Sequence, residues 1–359
     1  MTVAWGSSKR GRARTGGMTS SRHVTFILFA AILSVPFVSI YIGYAIGVYM
    51  MPANIELPDS GVIIGPLRLN YTWYNTHNLS VTFGGRLGNN MFQYAALYGI
   101  GKANGLRPLI TRQSALVAIF PHLKTRVTSQ RRPGDYWPKY REMAPYRFDE
   151  RTFNLNFMTN IELVGFFQSW RYFDHVRADV RKQFTFAAGL ELEVTRFFER
   201  TQRLYRDGMY YVRGDAAKSP LQYVGIHVRR GDYLHQNSIE KGYTVADSGY
   251  IERAMSYFTT KYHNVIFVVC SDDMQWSRTH VKSRTHLVVY SPFTETAALD
   301  LCTLARCNHS ITTVGSFSWW VGNLAGGETI YYKDFPKRGS WVASIFKPGD
   351  YYMPQWITV

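Results

Sequence analysis

Gly225-Ile226-His227-Val228-Arg229-Arg230-Gly231-Asp232-Tyr233 is an apolar strand that runs straight into a cluster of positive charge beside one carboxylate. Residues 221–228 are apolar and β-branched enough for a buried strand, and Gly231 marks the break into a loop. If the strand stays extended through Arg230, alternation sets His227 and Arg229 on one face and Arg230 on the other. Arginine offers a planar fork of donors that matches a phosphate or carboxylate with two bonds, whereas lysine is a point charge; two guanidiniums at a strand end favour a phosphate ligand. In isolation the cluster has a plainer reading, in which Arg230 and Asp232 form a surface ion pair and His227 is a satisfied core residue. The Arg-Gly-Asp triplet at 230–232 is too short to carry an adhesion reading.

Downstream the rhythm is regular. Strands are expected at 221–228, 264–270, 286–290, 310–314 and 328–332, with helices near 247–261, 294–306 and 318–325. Such alternation implies a parallel sheet with helices on both faces, and ligands in such sheets sit at the carboxyl ends of the strands. Asp272 and Asp273 follow one of these strands, and Ser316 and Ser318 follow another. Adjacent carboxylates at a strand end suit a metal, acid–base work, a helix cap, or the paired donors of a guanine edge. Ser318 also suits a cap for the helix after it.

Upstream, 79–83 reads as a first strand, Gly84, Gly85 and Gly88 as a tight loop, and 90–102 as a helix closed by Asn104-Gly105. Strand, glycine loop and helix form a place where backbone N–H groups and the helix dipole meet an anion or a sugar hydroxyl, although a cluster of glycines more often means only a turn. The spacing is not G-x-G-x-x-G, so nicotinamide and flavin binding are not indicated. Between 107 and 215 the chain is rich in arginine and aromatics, with a strand expected at 161–167 and a helix at 190–206.

At 359 residues, 46% of them hydrophobic, the chain has room for two domains with proper cores. Its net charge of +16 suits an anionic ligand, but it equally suits nucleic acid or an anionic membrane. Part of that charge precedes an uncharged, largely apolar run from 24 to 51. At about 1.5 Å per helical residue this run crosses a hydrocarbon core of about 30 Å. Basic residues before it, with Glu56 and Asp59 after it, keep the N-terminus cytosolic. A cleaved signal peptide is the competing reading, but the run is too long for an ordinary h-region. Three sequons, beginning at Asn70, Asn78 and Asn308, agree with a lumenal body and offer glycosylation sites. Cys270, Cys302 and Cys307 are the chain's three cysteines, so at most one pair can bridge, and Cys270 and Cys302 read as small buried residues. Anchor and sequons together disfavour a nucleic-acid partner.

Four segments occur in order: Gly85-Arg86-Leu87-Gly88-Asn89-Asn90-Met91-Phe92-Gln93-Tyr94-Ala95, the arginine cluster, Cys270-Ser271-Asp272-Asp273-Met274-Gln275-Trp276, and Cys307-Asn308-His309-Ser310 running on to Gly315-Ser316-Phe317-Ser318-Trp319-Trp320. Together they closely resemble the galactoside α-1,2-fucosyltransferases and, more distantly, the α-1,6- and protein O-fucosyltransferases, over about residues 79–333. Gly165-Phe166-Phe167-Gln168-Ser169-Trp170 also looks like a family segment, without an evident chemical role. The resemblance implies two facing Rossmann-like α/β domains of the GT-B kind behind a transmembrane helix: a cytosolic tail at 1–23, an anchor at 24–50, a stem at 51–77, an acceptor-side domain at 78–215 and a GDP-fucose-binding domain at 216–359. It implies a Golgi enzyme, single-pass type II with a lumenal catalytic body, that moves fucose from GDP-fucose to the 2-hydroxyl of a galactose-terminated glycan.

Residue by residue, the resemblance carries guanine contacts to His227 and to Asp272 or Asp273, the β-phosphate contact to Arg229, and diphosphate or fucose contacts to Ser316 and Ser318. Asn89 matches the asparagine of the relatives' G-R-x-G-N loop, while Asn90 stands where they carry glutamine. Arg230 is the second candidate for the β-phosphate contact and is expected to hold the loop through Asp232. No D-x-D occurs, so the metal-and-diphosphate arrangement of many glycosyltransferases is missing, and arginine is expected to replace the metal. No metal and no cofactor are expected, GDP-fucose being a co-substrate. A β-linked donor giving an α-linked product means inversion in one displacement, which ordinarily needs a general base. The α-1,6 relatives place a glutamate where this chain has Asn237, so Asp232 and Glu240 remain as candidate bases. Trp170, Trp276, Trp319 and Trp320 are sugar platforms or, more simply, core residues. Transfer to core N-acetylglucosamine or Ser/Thr, and a membrane-anchored lectin that keeps the pocket without turnover, are the alternative readings.

Overall fold

The computed structural model describes residues 77–112, 114–128, 137–155, 158–208, 219–293 and 296–359. The expected cytosolic tail, the anchor, Asn70 and all but the last residue of the stem lie outside them. Among the described residues no helix is long and apolar enough to cross a membrane.

The described residues form an α/β fold with two parallel five-stranded sheets. The first contains β1 (Asn78–Val81), β2 (Arg107–Thr111), β3 (Arg126–Thr128), β4 (Lys139–Arg141) and β5 (Ile161–Val164), in the order β3-β2-β1-β5-β4. The second contains β6 (Gln222–Val228), β7 (Val265–Ser271), β8 (Leu287–Tyr290), β9 (His309–Thr312) and β10 (Thr329–Tyr331), in the order β10-β9-β6-β7-β8. The register of β6 on β7 runs from Gln222 opposite Val265 to Val228 opposite Ser271, and every residue of β7 is buried. A strand covered on both faces reads as an unbroken apolar run, which is why this half of the chain is legible. In each sheet the chain starts at the central strand, builds outward on one side, and then crosses to the other. The order therefore reverses between β1 and β5 and between β6 and β9, and crevices for ligands open outside the carboxyl ends at such points.

The helix Leu87–Asn104 is buried over most of its length, including Met91, Phe92, Tyr94 to Leu97 and Ile100. A helix that is apolar all round has no face to give to solvent. It begins three residues before the expected start at 90, because Gly88 belongs to its first turn: a Cβ there would lie 2.5 Å from the amide nitrogen of Phe317. It ends as expected at Gly105, whose φ of 67° is the left-handed cap conformation. Phe92 packs on Trp319 and Trp320 with ring centroids 4.6 and 5.2 Å apart, and Trp320 also donates its indole N–H to the carbonyl of Gly88 (3.1 Å). Both tryptophans are therefore core residues and not sugar platforms.

The helix Ala188–Asp207 buries Val194, Phe197, Phe198, Thr201 and Tyr205, the stripe of an amphipathic helix, against the helix Ala297–Ala305. The short helix Pro348–Tyr351 packs on the loops after β4 and β5, while Ile357 beyond it bridges Ile330 of β10 in the second sheet. Asp350 accepts from the amide of Phe148 (3.0 Å) and pairs with Arg171 (2.9 Å), and its carbonyl accepts from Ser169 Oγ (2.6 Å). All three cysteines are buried and free; the bridge that the sequence allows does not form.

Candidate active site

β6 delivers the arginine cluster to the carboxyl edge of the second sheet. Arg229 lies just past the strand end, where its amide donates to Thr313 Oγ1 (2.9 Å) and so ties β6 to the segment after β9. Its guanidinium forks, with Nη1 donating to Asp272 and Nη2 to Asp232, and it rests 5.2 Å from the ring centroid of Tyr233. The side chain is only 15% exposed, so this fork is held in place by its surroundings. Gly231 is required by the same packing, since a Cβ there would stand 2.4 Å from Asp272 Oδ2.

Arg230 takes a different path from the expected one. Arg229, not Arg230, holds Asp232, because the 3₁₀ turn Gly231–Leu234 carries Asp232 back under the first arginine. Arg230 instead donates its Nε to Asp273 Oδ2 (3.1 Å) and lays its guanidinium 4.1 Å over Trp276, while its amide donates to Asp272 Oδ1 (2.8 Å). Asp273 is at the same time the N-cap of the helix Met274–His280, its Oδ1 accepting from the amide of Trp276 (3.1 Å). The cap reading holds for Asp273, while Asp272 is engaged by Arg229 and the amide of Arg230. Arg86 completes the cluster from the first half, 3.7 Å from Asp232 Oδ2 and mostly exposed.

His227 is buried at the end of β6, with Nδ1 2.6 Å from Ser318 Oγ and its ring 4.6 Å from that of Phe317. Burial, and secondarily the charge of Arg229, pushes its pKa down to about 3. The ring is therefore neutral at any working pH, and it orients through Ser318. Ser318 is not a cap: the helix Gly315–Ala325 starts earlier than 318, so Ser316 and Ser318 stand in its first turns. Ser316 Oγ donates to Asn89 Oδ1 (2.5 Å), which also accepts from Gln168 Nε2 (2.7 Å). With the oxygen used twice, the Asn89 amide is fixed with its nitrogen toward Gly85, whose φ of 77° leaves room that a side chain would fill.

These contacts join Asn89, His227, Arg229, Arg230, Asp232, Asp272, Asp273, Ser316 and Ser318 into one locality where the starts of two helices, Leu87–Asn104 and Gly315–Ala325, converge. Helix starts present unsatisfied N–H groups and partial positive charge, and forked guanidiniums stand beside them; an arrangement of this kind can hold an anion such as a diphosphate. Among the described residues no group of three or more His, Cys, Asp or Glu side chains is arranged to hold a metal ion. Glu240 lies apart, accepting from Gln236 on an exposed helix. Asn78 and Asn308 lie at the opposite, amino ends of β1 and β9.

Sequence reasoning missed Gln93, Glu142 and Gln168. Gln93 ties the glycine loop together, accepting from Gly84 N (3.0 Å) and donating to the carbonyls of Thr82 (3.1 Å) and Gly165 (2.7 Å). A glutamine at a core position of an otherwise apolar helix was the signal that marked it. Glu142 follows β4 with Oε2 accepting from the amide of Phe166 (2.8 Å), and burial raises its carboxyl to about 7.

Two parallel sheets with clustered guanidiniums at a strand edge are compatible with a nucleotide-dependent transferase. Within that class the chain belongs to glycosyl transferase family 11, which residues 65–359 match. It is 33% identical to galactoside 2-alpha-L-fucosyltransferase SEC1 of Bos taurus, covering 77% of this chain and 72% of that protein. It is 31% identical to galactoside alpha-(1,2)-fucosyltransferase 2 of Gorilla gorilla gorilla, over 92% of each chain. Among solved structures, the fucosyltransferase NodZ from Bradyrhizobium is 15% identical and aligns with a TM-score of 0.42 over 69% of this chain and 93% of that one.

Proposed function

We propose that the protein is a galactoside α-1,2-fucosyltransferase: it moves L-fucose from GDP-fucose to the 2-hydroxyl of a terminal β-galactose, with inversion and without a metal ion. Arg229, locked between Asp232 and Asp272 beside two helix starts, is the observation that carries this reading. As the bond from fucose C1 to the β-phosphate breaks, charge grows on the phosphate and the sugar becomes oxocarbenium-like. A guanidinium fixed in advance stabilises that charge more than it stabilises the ground state. His227 and one of Asp272 and Asp273 serve the guanine, whose N1–H and amino group are paired donors to a carboxylate. Ser316, Ser318 and the Asn89 amide line the diphosphate and fucose. The two sheets then act as facing Rossmann-like domains of the GT-B kind, the second taking the donor and the first the acceptor. The apolar run at 24–50 anchors the chain in the Golgi membrane as a type II protein, with the body lumenal and glycans on sequon asparagines.

The test is transfer from GDP-fucose to lactose by the full-length protein in microsomes, with and without EDTA. Product formed equally in EDTA supports the reading. Loss of transfer on chelation, regained with manganese, defeats the metal-independent mechanism, and GDP binding with no transfer to any galactoside points to a lectin.

A further inference from the structure

On the reading above the donor takes the β6/β9 reversal; the first sheet has a reversal of its own, between β1 and β5, and ligands bind outside the carboxyl ends of the strands at such points. Three loops border this one: Gly84-Gly85 after β1, Gly165 to Gln168 after β5, and Glu142 after β4. Their backbone is held tightly. Gln93 bridges Gly84 N to the Gly165 carbonyl, and Gln168 is fastened to Asn89. Phe167 adopts a φ of 51° with its ring fully buried, an unfavourable conformation for a side chain of that size and of the kind retained at ligand clamps. Its neighbour Phe166 points the other way. It is 37% exposed, with its ring edge 3.9 Å from where a Cβ of Gly84 would stand.

Glu142 packs against the same loop so closely that a Cβ at Gly165 would lie 2.6 Å from its Oε2. Oε2 accepts from Phe166 N (2.8 Å), while Oε1 is buried and, apart from the nearby Phe167 amide, has no hydrogen-bonding group to serve it. A carboxyl oxygen so poorly served at a strand end needs an explanation, and an incoming hydroxyl is the donor it lacks.

We propose that this locality is the acceptor subsite: the apolar C–H face of galactose rests on Phe166, and Glu142 Oε1 receives the proton of the attacking 2-hydroxyl. This rests on the fucosyl-transfer reading above. The hydroxyl oxygen bonds to fucose C1 while the C1–O bond breaks, its electron pair leaving with the β-phosphate of GDP; the hydroxyl proton passes to the Glu142 carboxylate and then to water. The groups facing Glu142 agree with this role. Burial raises its carboxyl to about 7, the N–H groups of Phe166 and Phe167 oppose that rise, and Asp149 adds to it. Asp149 is itself paired with Arg151 and accepts from Tyr140 (2.7 Å), and Tyr172 lies near enough to feel the Glu142 charge. A base poised near neutrality is half ready at working pH. The small side-chain movement that frees Oε1 is of the kind that accompanies ligand entry.

The experiment compares full-length wild type, Glu142→Gln and Phe166→Ala for transfer to lactose between pH 5 and 9, with GDP affinity measured by calorimetry. Glu142→Gln keeps an acceptor oxygen for the loop amide and loses only the base. It is expected to lower kcat by about a hundredfold or more, abolish the rise in rate through pH 7, and leave GDP affinity unchanged. Phe166→Ala is expected to raise KM for lactose about tenfold with KM for GDP-fucose unmoved. The subsite is overturned if Glu142→Gln retains the pH 7 limb, or if both variants raise KM for GDP-fucose together, which marks the loop as a prop for the donor cradle. A wild type that binds GDP and transfers to no galactoside removes the fucosyl-transfer reading itself, and this subsite with it.

Discussion

Arg229 makes the sharpest prediction. In the free protein its two Nη atoms are spent on Asp232 and Asp272, and at 15% exposure it is screened less than a surface charge. Replacing it with alanine removes one preorganised donor to the departing phosphate, a loss of about 2.7–4 kcal/mol or 10²–10³ in kcat where such donors have been deleted. It also leaves two carboxylates facing the place where a diphosphate must dock, so GDP affinity should fall as well. Lysine restores charge but reaches only one of the two carboxylates, and about 10–100-fold of the loss should remain. Asp272→Asn in the Arg229→Ala background removes part of the repulsion, so it should recover GDP affinity without recovering kcat, a coupling that a double-mutant cycle reads directly. Steady-state kinetics and calorimetry on wild type, Arg229→Ala, Arg229→Lys, Asp272→Asn and the Arg229→Ala/Asp272→Asn double mutant decide the matter. An Arg229→Ala enzyme within threefold of wild type in kcat would falsify the assignment.

Gly88→Ala drives a methyl into the backbone of Ser316 and Phe317, at 2.7 and 2.5 Å, where no flexible side chain can yield. It should cost about 1–3 kcal/mol in unfolding free energy and weaken GDP binding, because Ser316 and Asn89 shift together; an unchanged melting temperature contradicts this. His227 and Glu142 give stability opposite pH slopes. The folded pKa of His227 is near 3 against an ordinary 6.5, so the folded state binds fewer protons between those values, and stability falls by about 1.4 kcal/mol for each step of one in pH downward through that window. Glu142, near 7 against 4.5, holds its proton longer when folded, so stability declines as pH rises from about 4.5 to 7. His227→Asn and Glu142→Gln should each flatten their own limb in urea titrations across pH, and a shared response sinks the assignment.

The second sheet was legible because its strands are buried on both faces and spaced by helices, so the expected boundaries differ from the observed ones by one or two residues. The helix after β9 was placed late, since Ser318 has the chemistry of a cap but spends its hydroxyl on His227. The first sheet was harder to read. β2 carries Pro108, which argues against an interior strand, although β2 pairs on both sides. β3 and β4 have three residues each, most of them exposed, and are too short for any alternation to show. Glu142 follows one of these silent strands, and Gln168 sits in a segment that stood out only by family likeness, with no chemical role evident. The candidate site residues around Arg229 were visible as motifs because charge clusters at strand ends announce themselves. The pairing of Arg229 with Asp232 depends on a 3₁₀ turn that no local pattern encodes.

The docking of the helix Pro348–Tyr351 on the loops after β4 and β5 has a consequence for biosynthesis. Asp350 answers the backbone of Phe148 and the charge of Arg171, and the Tyr351 ring lies 5.4 Å from that of Tyr146 and 6.3 Å from that of Phe92. The part made first on the ribosome cannot close its own interior until the part made last has emerged. Nascent molecules must therefore wait with aromatic surface uncovered, and a premature stop that spares every active-site motif would still leave the earlier half unfinished.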